Sequence, residues 1–434
     1  MDLEYRLLTE RIHYYAPAIN IVMVFTVGGN PNIEELKTAI RKGVNKHDIF
    51  RSRVVLNEEG EGYYEPISEA VVKIDLLESY EEEDWKRLIY EQERIAFDFV
   101  HGELVRFFIL RKEEKIQLIL IAHHLCGDGL AITYLLRDIM TALGNPELSI
   151  QRMPIRVCTE KDIPRAARLR PHVRLLVRWG NKQWNKKKRV FRYEEFLSMF
   201  HRYWDKHQTA VEDFVISGDT LARLQEVCRD HKITLNTAIA TAFLLTIKTE
   251  MESGYAVSVR PEGYEGMGNF ASGISIEYDP IKDVSFWKNA AAIQMQLYKK
   301  LKSIKKKYFV LEFMSKIEPT IMDSIYFNTY ADYQDKIAES FSNMFRYNGN
   351  PRGMGITNLT RLGIPSTYGS YYIEDLKFVA PIVPNAKRII GVVTLEDTMA
   401  ITMNYLVTKE QEIYRQQFRD AMTMLCSLPD DKNE

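Results

Sequence analysis

The most constraining feature of this sequence is a strand-like run that is apolar on both faces. The run IQLILI occupies residues 116–121 and contains one polar residue, Gln117. Because neighbouring strand residues point to opposite faces, a run of this kind must be covered on both sides. It follows the run VRFFIL (105–110) and the turn RKEEK, and this order predicts a β-hairpin. We therefore expect 116–121 to be a buried central strand of a layered fold.

The rest of the chain mixes strand and helix patterns, which predicts an α+β fold. The first part predicts strands at 18–27 and 49–56 and helices at 32–47, 83–97 and 129–143. The later part predicts two helices within 219–250, the second capped by Thr234, then strands at 255–261 and 270–279, four more strand-like runs and a closing helix. A length of 434 residues exceeds what one core usually serves. We expect two domains, 1–162 and 194–434, joined by a crossover at 163–193.

Composition excludes several classes of protein. The formal net charge of -1 gives no overall field that favours nucleic acid. No apolar run approaches the roughly 18 residues of a membrane span, and the first residues lack an apolar signal core. The cysteines are far apart in sequence, which argues against a disulfide framework or a zinc knuckle. These features predict a cytoplasmic protein without a transmembrane segment.

The segment 163–193 has an unusual charge pattern. It carries eleven Arg or Lys residues and no acid, with Trp179 and Trp184 interleaved. One interpretation is a solvated crossover between the domains. The other is a docking face for an anionic partner, such as a phosphopantetheine carrier, a CoA phosphate or a lipid surface.

A histidine pair follows the central strand in the stretch AHHLCGDG (122–129). His123 and His124 are neighbours at a strand end, so we expect their rings to project differently. A neutral imidazole is well suited to accept a proton near neutral pH. A hydrogen-bonded core histidine beside a loop histidine would explain the pair equally, and Asp128 could simply cap the helix that begins at Gly129. The other histidines lack metal-ligand spacing, so no metal is predicted, and Cys126 is expected to be a buried, inert thiol.

The letters HHLCGDG match the motif HHxxxDG in full, and this motif resembles that of the CoA-dependent acyltransferase superfamily. The superfamily includes chloramphenicol acetyltransferase, the condensation domains of nonribosomal peptide synthetases and stand-alone acyltransferases. Four further stretches resemble its conserved passages in the expected order: KHDIFRSRV (46–54), FDFVHGELVRFFIL (97–110), SVRPEGYEGMGNFAS (258–272) and ITNLTRLG (356–363). The resemblance implies two similar chloramphenicol-acetyltransferase-like α/β-sandwich domains, which form a pseudo-dimer around a central tunnel.

The resemblance also implies an acyl transfer and the residues that perform it. The acyl group moves from CoA, or from the pantetheine of a carrier protein, to an alcohol or amine, with no permanently bound cofactor. His124 is the general base, and His123 is structural. Asp128 holds the turn through an arginine, with Arg260 the preferred partner and Arg51 the second.

Two further positions follow from the same resemblance. Gly129 would let the backbone approach the substrate, and its amide could stabilise an oxyanion. Asn358, in the matched ITNLTRLG stretch, either lines the site or serves as a turn amide. The implied protein is a free-standing, monomeric enzyme of secondary metabolism.

Some positions depart from the family pattern and leave alternatives open. Glu103 replaces a proline, Thr357-Asn358-Leu359-Thr360 replaces S-N-L-G, and the D-F-G-W-G of plant acyltransferases is absent. A domain that binds a thioester or carrier without chemistry is one alternative. Another is a glycerolipid-type acyltransferase, because His123 and Asp128 also fit the pattern HxxxxD.

Overall fold

The computed structural model describes residues 5–78, 81, 83–247, 252–280, 284–351 and 353–428. Its strands are β1 (Asn20–Gly28), β2 (Ser52–Leu56), β3 (Gly62–Pro66), β4 (Val71–Glu78), β5 (Glu103–Lys112), β6 (Lys115–His123), β7 (Thr209–Ser217), β8 (Glu252–Ser258), β9 (Ala271–Glu277), β10 (Gly353–Arg361), β11 (Thr367–Tyr368), β12 (Tyr371–Val379), β13 (Ala386–Leu395) and β14 (Thr398–Leu406). Its α-helices are α1 (Ile33–Asn45), α2 (Asp84–Glu93), α3 (Gly129–Gly144), α4 (Pro171–Trp184), α5 (Tyr193–Lys206), α6 (Gly218–Asp230), α7 (Leu235–Ile247), α8 (Phe286–Leu301), α9 (Ile304–Lys307), α10 (Phe309–Met314), α11 (Pro319–Tyr330), α12 (Lys336–Phe345) and α13 (Gln411–Cys426). Short 3-10 helices occupy Thr9–Ile12, Asp48–Arg51, Phe99–His101, Glu160–Asp162 and Arg165–Ala167.

The N-terminal lobe is built on a six-stranded sheet with the order β11-β12-β1-β6-β5-β4. Strand β6 lies between β1 and β5 and is antiparallel to both, with Leu120 opposite Met23 on one side and Phe107 on the other. Every residue of β6 after Lys115 is buried. The prediction of a central strand, formed by the hairpin β5–β6, is confirmed.

The C-terminal lobe is built on a second six-stranded sheet, with the order β7-β14-β13-β10-β8-β9. Strand β10 is parallel to both of its neighbours, and β9 forms one edge. Helix α7 is apolar almost all round, and it is therefore buried between the sheet and the neighbouring helices α8 and α13. Two sheet-rich lobes confirm the predicted α+β pseudo-dimer.

The strand order adds a crossing between the lobes that the sequence did not predict. Strands β11 and β12 follow the C-terminal strand β10 in the chain, yet they complete the N-terminal sheet, where β12 pairs with β1. Thr402 Oγ1 donates to the Phe378 carbonyl (2.6 Å) and Asn404 Nδ2 to the Ala380 carbonyl (3.0 Å), which joins β14 to the end of this crossing strand. The partition into 1–162, 163–193 and 194–434 stays a prediction. Part of the third segment, the strands β11 and β12, lies in the sheet of the N-terminal lobe.

The basic segment 163–193 divides into two parts. Its second part pairs with acids of other helices: Lys187 with Asp335, and Lys188 Nζ with Glu318 Oε1 at 2.7 Å. These ion pairs attach the segment to α11 and α12, so this part serves the fold. Its first part, which includes the start of α4, lines a surface cavity described below.

Smaller differences separate the predicted and observed elements. The predicted strand 49–56 begins as a 3-10 helix, the helix predicted at 83–97 spans Asp84–Glu93, and the last residues of the helix predicted to reach 250 lie outside the described residues. Thr234 Oγ1 accepts from Thr237 N (3.2 Å), as a helix cap does. Within the described ranges, no helix is both long and apolar enough to cross a membrane.

Candidate active site

His123 is the last residue of β6 and points into the core. Its ring lies against Phe97 and Phe99, with centroid distances of 5.7 and 5.3 Å, and only 3% of the residue is exposed. Its Nδ1 accepts a hydrogen bond from the Leu125 amide at 3.2 Å. Burial, with the charge of His124 adding to it, lowers the pKa of His123 to about 3. Burial and this hydrogen bond support the structural role predicted for His123, which stays a prediction, and they leave its ring poorly placed to act as the base of a glycerolipid-type HxxxxD motif.

His124 projects away from His123 and remains partly exposed. Its Nδ1 is buried without a hydrogen-bond partner, and its Nε2 makes no hydrogen bond to any described residue. Burial lowers the pKa of His124, while the charge of Asp128 opposes that change. The ring is therefore neutral at neutral pH, with a nitrogen free to accept a proton.

His13 is a neighbour of His124 that the sequence did not single out. The two rings are stacked, with centroids 4.1 Å apart and planes inclined by 19°. His13 follows the 3-10 helix Thr9–Ile12, which is held by a hydrogen bond of 2.7 Å from the Tyr326 hydroxyl to the Ile12 carbonyl. Burial, and then the charge of His124, lower the pKa of His13 well below its ordinary value. No local spacing could reveal this contact, since 110 residues separate the two histidines.

Asp128 joins the histidine turn to the C-terminal lobe. One carboxylate oxygen accepts from the Ala131 amide of α3 (2.9 Å) and from Arg260 Nη2 (2.7 Å), and the other accepts from the Phe270 amide (2.9 Å). The side chains of Asp128 and Arg260 are only 7% and 5% exposed. Helix capping and the arginine partner therefore occur together, and they hold the turn rigidly.

Arg260 is the partner that the sequence favoured. Its Nη1 donates to the Gly266 carbonyl (2.7 Å) and its Nη2 to the Gly268 carbonyl (3.1 Å), in addition to Asp128. The second candidate, Arg51, pairs instead with Asp48 of its own 3-10 helix. The R-P … G-N-F passage thus folds around the guanidinium that fixes Asp128.

Gly129 and Asn358 have protein contacts that explain them in part. A Cβ at Gly129 would lie 2.8 Å from Leu359 Cδ2 and 3.3 Å from Phe378 Cζ, so the lack of a side chain lets the start of α3 pack closely against these residues of β10 and β12. Asn358 Oδ1 accepts from the Thr360 amide (2.7 Å), and its Nδ2 donates to Asn236 (3.2 Å). Thr360 has a φ of +61°, so Asn358 serves the turn amide role. Substrate approach at Gly129 and site lining by Asn358 stay predictions.

Two other polar groups lie near the motif. Cys126 is fully buried, and burial raises the pKa of its thiol. Glu10 is also buried; its pKa is raised to about 7, mainly by burial, with the charge of Asp128 adding a smaller effect. Across the described ranges, no group of three or more His, Cys, Asp or Glu side chains is placed to hold a metal ion.

Glu103, which replaces a proline of the family pattern, has a structural role. It is 2% exposed and bonds Arg106 through both carboxylate oxygens, at 3.0 and 2.9 Å, while Lys73 lies 2.6 Å away. These hydrogen bonds overcome the effect of burial and lower its pKa to about 2. Glu103 therefore anchors β5, the strand beside β6, to Arg106 and to β4 through Lys73.

Comparison with known proteins supports the resemblance drawn from the motif. Residues 6–149 match the family model described as "Condensation domain". The matched range contains the complete HHxxxDG motif. A polyketide synthase-nonribosomal peptide synthetase of Aspergillus clavatus is 25% identical over 134 residues, and a hybrid synthetase, fsa1, of a Fusarium species is 25% identical over 138 residues. Each match covers 30% of this chain and only 3% of the relative.

Solved structures show the same fold over nearly the whole chain. The first condensation domain of the CDA synthetase has a TM-score of 0.64 at 12% identity, and the condensation domain of the Monacolin K polyketide synthase MokA has 0.63 at 11%. Polyketide synthase associated protein 5 from Mycobacterium tuberculosis has 0.62 at 15%. In each case 98% of this chain and 97% of the other are covered. The chain therefore has the fold of condensation domains, which belong to the CoA-dependent acyltransferase superfamily.

Proposed function

We propose that this protein is an acyltransferase with His124 as its general base. The observation that carries the proposal is the environment of one ring: His124 is partly exposed, and its Nε2 bonds no described residue. Burial lowers the pKa of His124, and Asp128 and Arg260 hold its turn in place. A rigid turn matters because a base acts efficiently only when its nitrogen is held near the proton it abstracts.

The proposed reaction is a direct transfer without a covalent acyl-enzyme. His124 takes the proton from the hydroxyl or amine of the acceptor as its oxygen or nitrogen attacks the thioester carbonyl. The C–S bond then breaks, and His124 returns the proton to the departing thiolate. The products are an ester or amide and a free thiol, so atoms and charge balance without a cofactor.

The proposed donor is an acyl thioester of CoA or of carrier-bound pantetheine, and the acceptor is a small alcohol or amine. The condensation-domain match over 6–149 supports a pantetheine thioester, and the names of the relatives support a setting in secondary metabolism. A monomeric enzyme in the cytoplasm remains part of the proposal. The match to each curated relative covers only 3% of that relative's length, so the proposal does not extend the activity of the whole synthetases to this chain.

The test is thiol release from acyl-CoA donors across a panel of alcohols and amines. We expect His124→Ala to lower the rate by about 100-fold or more, the usual contribution of a general base. His123→Asn is a less suitable control because it disturbs the core, so His207→Ala, a residue packed against Tyr203 in α5, serves as the matched histidine variant. An unchanged rate in a folded His124→Ala protein would refute the assignment of His124 as the general base.

A non-catalytic, condensation-like domain is the alternative to be separated by the same experiment. In that case the unmodified chain would release no thiol above background, while still binding a carrier-bound or CoA thioester. Binding with no turnover over the full panel would favour this alternative, and any turnover that depends on His124 excludes it.

A further inference from the structure

A basic cavity opens on the surface where the crossover segment meets the C-terminal lobe. Its volume is about 490 Å³. Its walls come from residues 167–173, from β9 and from the region 300–309. Six lining residues are Arg, Lys or His: Arg168, Arg170, His172, Lys300, Lys305 and Lys306. The lining residues include no acid, so the cavity presents only positive side-chain charge to a ligand.

The positive charges of this cavity are not compensated within the described part of the chain. None of its five Arg and Lys side chains forms an ion pair with a described residue, whereas Lys187 and Lys188 of the same segment do. The pKa of Lys306 is lowered, chiefly by the charge of Lys300, then by slight burial and by Arg170. An anion that binds between such cations relieves their mutual repulsion and so lowers the free energy of the site.

Helix α4 adds its positive end to the same cavity. Arg170 is its N-cap and makes no side-chain capping bond, and the first turn holds no acid. His172 and Val173, at the start of the helix, line the cavity. The first N–H groups of a helix lack partners within it, and they favour phosphate groups.

Strand β9 links this cavity to the histidine turn. The amide of Phe270, directly before β9, donates to Asp128 at 2.9 Å, and Gly273, Ile274 and Ser275 of β9 line the cavity. A strand rises about 3.3 Å per residue, so Ser275 lies roughly 16 Å along the strand from that amide. The pantetheine arm of CoA runs from the sulfur to the first phosphate. It contains about as many bonds as four residues of a polypeptide main chain, which span roughly 15 Å when extended.

We propose that this cavity binds the nucleotide end of CoA, with the diphosphate and 3′-phosphate held by Arg170, Lys306 and their neighbours. The inference rests on the proposed function for its choice of CoA. The volume is in the range of small-molecule sites, and several cations suit a ligand with several phosphates better than the single phosphodiester of a carrier protein. Bound there, CoA could extend its thioester along β9 towards His124.

The test is calorimetric titration of the full chain with CoA and with adenosine 3′-phosphate 5′-diphosphate, its nucleotide end. We expect the double variant Arg170→Gln/Lys306→Gln to raise both dissociation constants by about tenfold or more. Each substitution removes a charged hydrogen bond to phosphate, and such bonds contribute strongly to the binding free energy. The matched control is Arg178→Gln/Lys182→Gln, which removes the same charge from exposed positions of α4 outside the cavity. We expect that control to bind both ligands within about twofold of the unmodified chain.

In the titrations, three outcomes would overturn the inference: no binding of the nucleotide, equal weakening by both double variants, or binding of anionic phospholipid vesicles in place of the nucleotide. The last would assign the region to a lipid surface with the exposed Leu175 and Trp179 of α4.

The nucleotide titration also keeps this inference separate from the proposed function. His124→Ala should bind the nucleotide as the unmodified chain does. Nucleotide binding without any acyl transfer would refute the proposed function alone. Acyl transfer with an unchanged KM for acyl-CoA in Arg170→Gln/Lys306→Gln would refute this inference alone.

Discussion

At the scale of single residues, the stacked pair His13 and His124 distinguishes this site from a bare HHxxxDG turn. The ring of His13 covers one face of His124 at a centroid distance of 4.1 Å, and both rings have lowered pKa values. Two neutral rings can stack without the repulsion that two imidazolium ions would have. The contact therefore restrains the orientation of His124 and favours its neutral, basic form.

Replacing His13 should show whether this contact positions the base. Removal of the ring in His13→Ala should lower kcat by about 2- to 10-fold, because a stacked aromatic pair contributes up to roughly one and a half kcal/mol. His13→Phe restores a flat ring without a titrating group and should recover most of the rate. The measurement is kcat and KM for both variants. Equal losses in both would mean that His13 acts through a proton and not through its shape.

The pH dependence of acyl transfer should reflect the lowered pKa of His124. A base with a lowered pKa stays unprotonated to more acidic pH, so the rate should fall only below the ordinary histidine value of 6.5. The measurement is kcat/KM against pH from acidic to neutral conditions. An acidic limb centred at or above 6.5 would show that burial does not govern this ring. In His13→Ala, where water replaces the stacked ring, we expect the limb to move towards higher pH.

The sequence could predict the local part of this site but not its long-range part. The family resemblance of two motifs implied an arginine partner for Asp128, with Arg260 preferred over Arg51, and Arg260 Nη2 lies 2.7 Å from Asp128 Oδ1. His13 belongs to no motif, since its position depends on a 3-10 helix that packs against α11. Glu10 reaches the same region in this way. Residues delivered by tertiary packing leave no periodic signal in the chain.

At the scale of elements, most strands were predicted from the sequence, whereas no helix was predicted in the region 284–351, which holds α8 to α12. Strands β5, β6, β13 and β14 are runs of buried apolar residues bounded by turns, which short windows reveal. Helices α9 and α10 have only 4 and 6 residues, and α11 is buried on nearly every side. Helices of these kinds have too few turns, or too little contrast between faces, to be recognised by period.

Gly391 shows how closely the crossing strand β12 approaches β13. A Cβ at Gly391 would clash with the Phe378 carbonyl of β12 and lie 2.7 Å from Thr402 Oγ1. We therefore expect Gly391→Ala to lower the free energy of unfolding by about 1–3 kcal/mol, as overpacking does. The matched control is Gly363→Ala, where no atom lies within 4 Å of the added Cβ. Urea unfolding measures both, and equal stabilities would contradict this account of the crossing.

At the scale of the whole molecule, the two lobes share more than a linker. Strand β12 pairs with β1 in the first lobe, and the buried pair Arg11 and Asp323 joins the N-terminal segment to α11. The Tyr15 hydroxyl donates to the Phe191 carbonyl (2.8 Å), which ties the same segment to the end of the crossover. Sequence periodicity assigns strands but not their partners, so it could place a boundary near 162 without showing that the first sheet is finished by residues 367–379.

This sharing predicts that the first predicted domain does not fold alone. A fragment of residues 1–162 lacks β11 and β12, so one edge of β1 would lose its partner while Phe378 and Leu376 no longer cover the core beside it. An open edge with apolar flanks promotes aggregation. We expect the fragment to be insoluble or unfolded by circular dichroism, and the full chain to unfold in one transition when followed at near- and far-ultraviolet wavelengths. A soluble, cooperatively folded 1–162 fragment would show that the lobe is independent, and that β12 is an addition to a complete sheet.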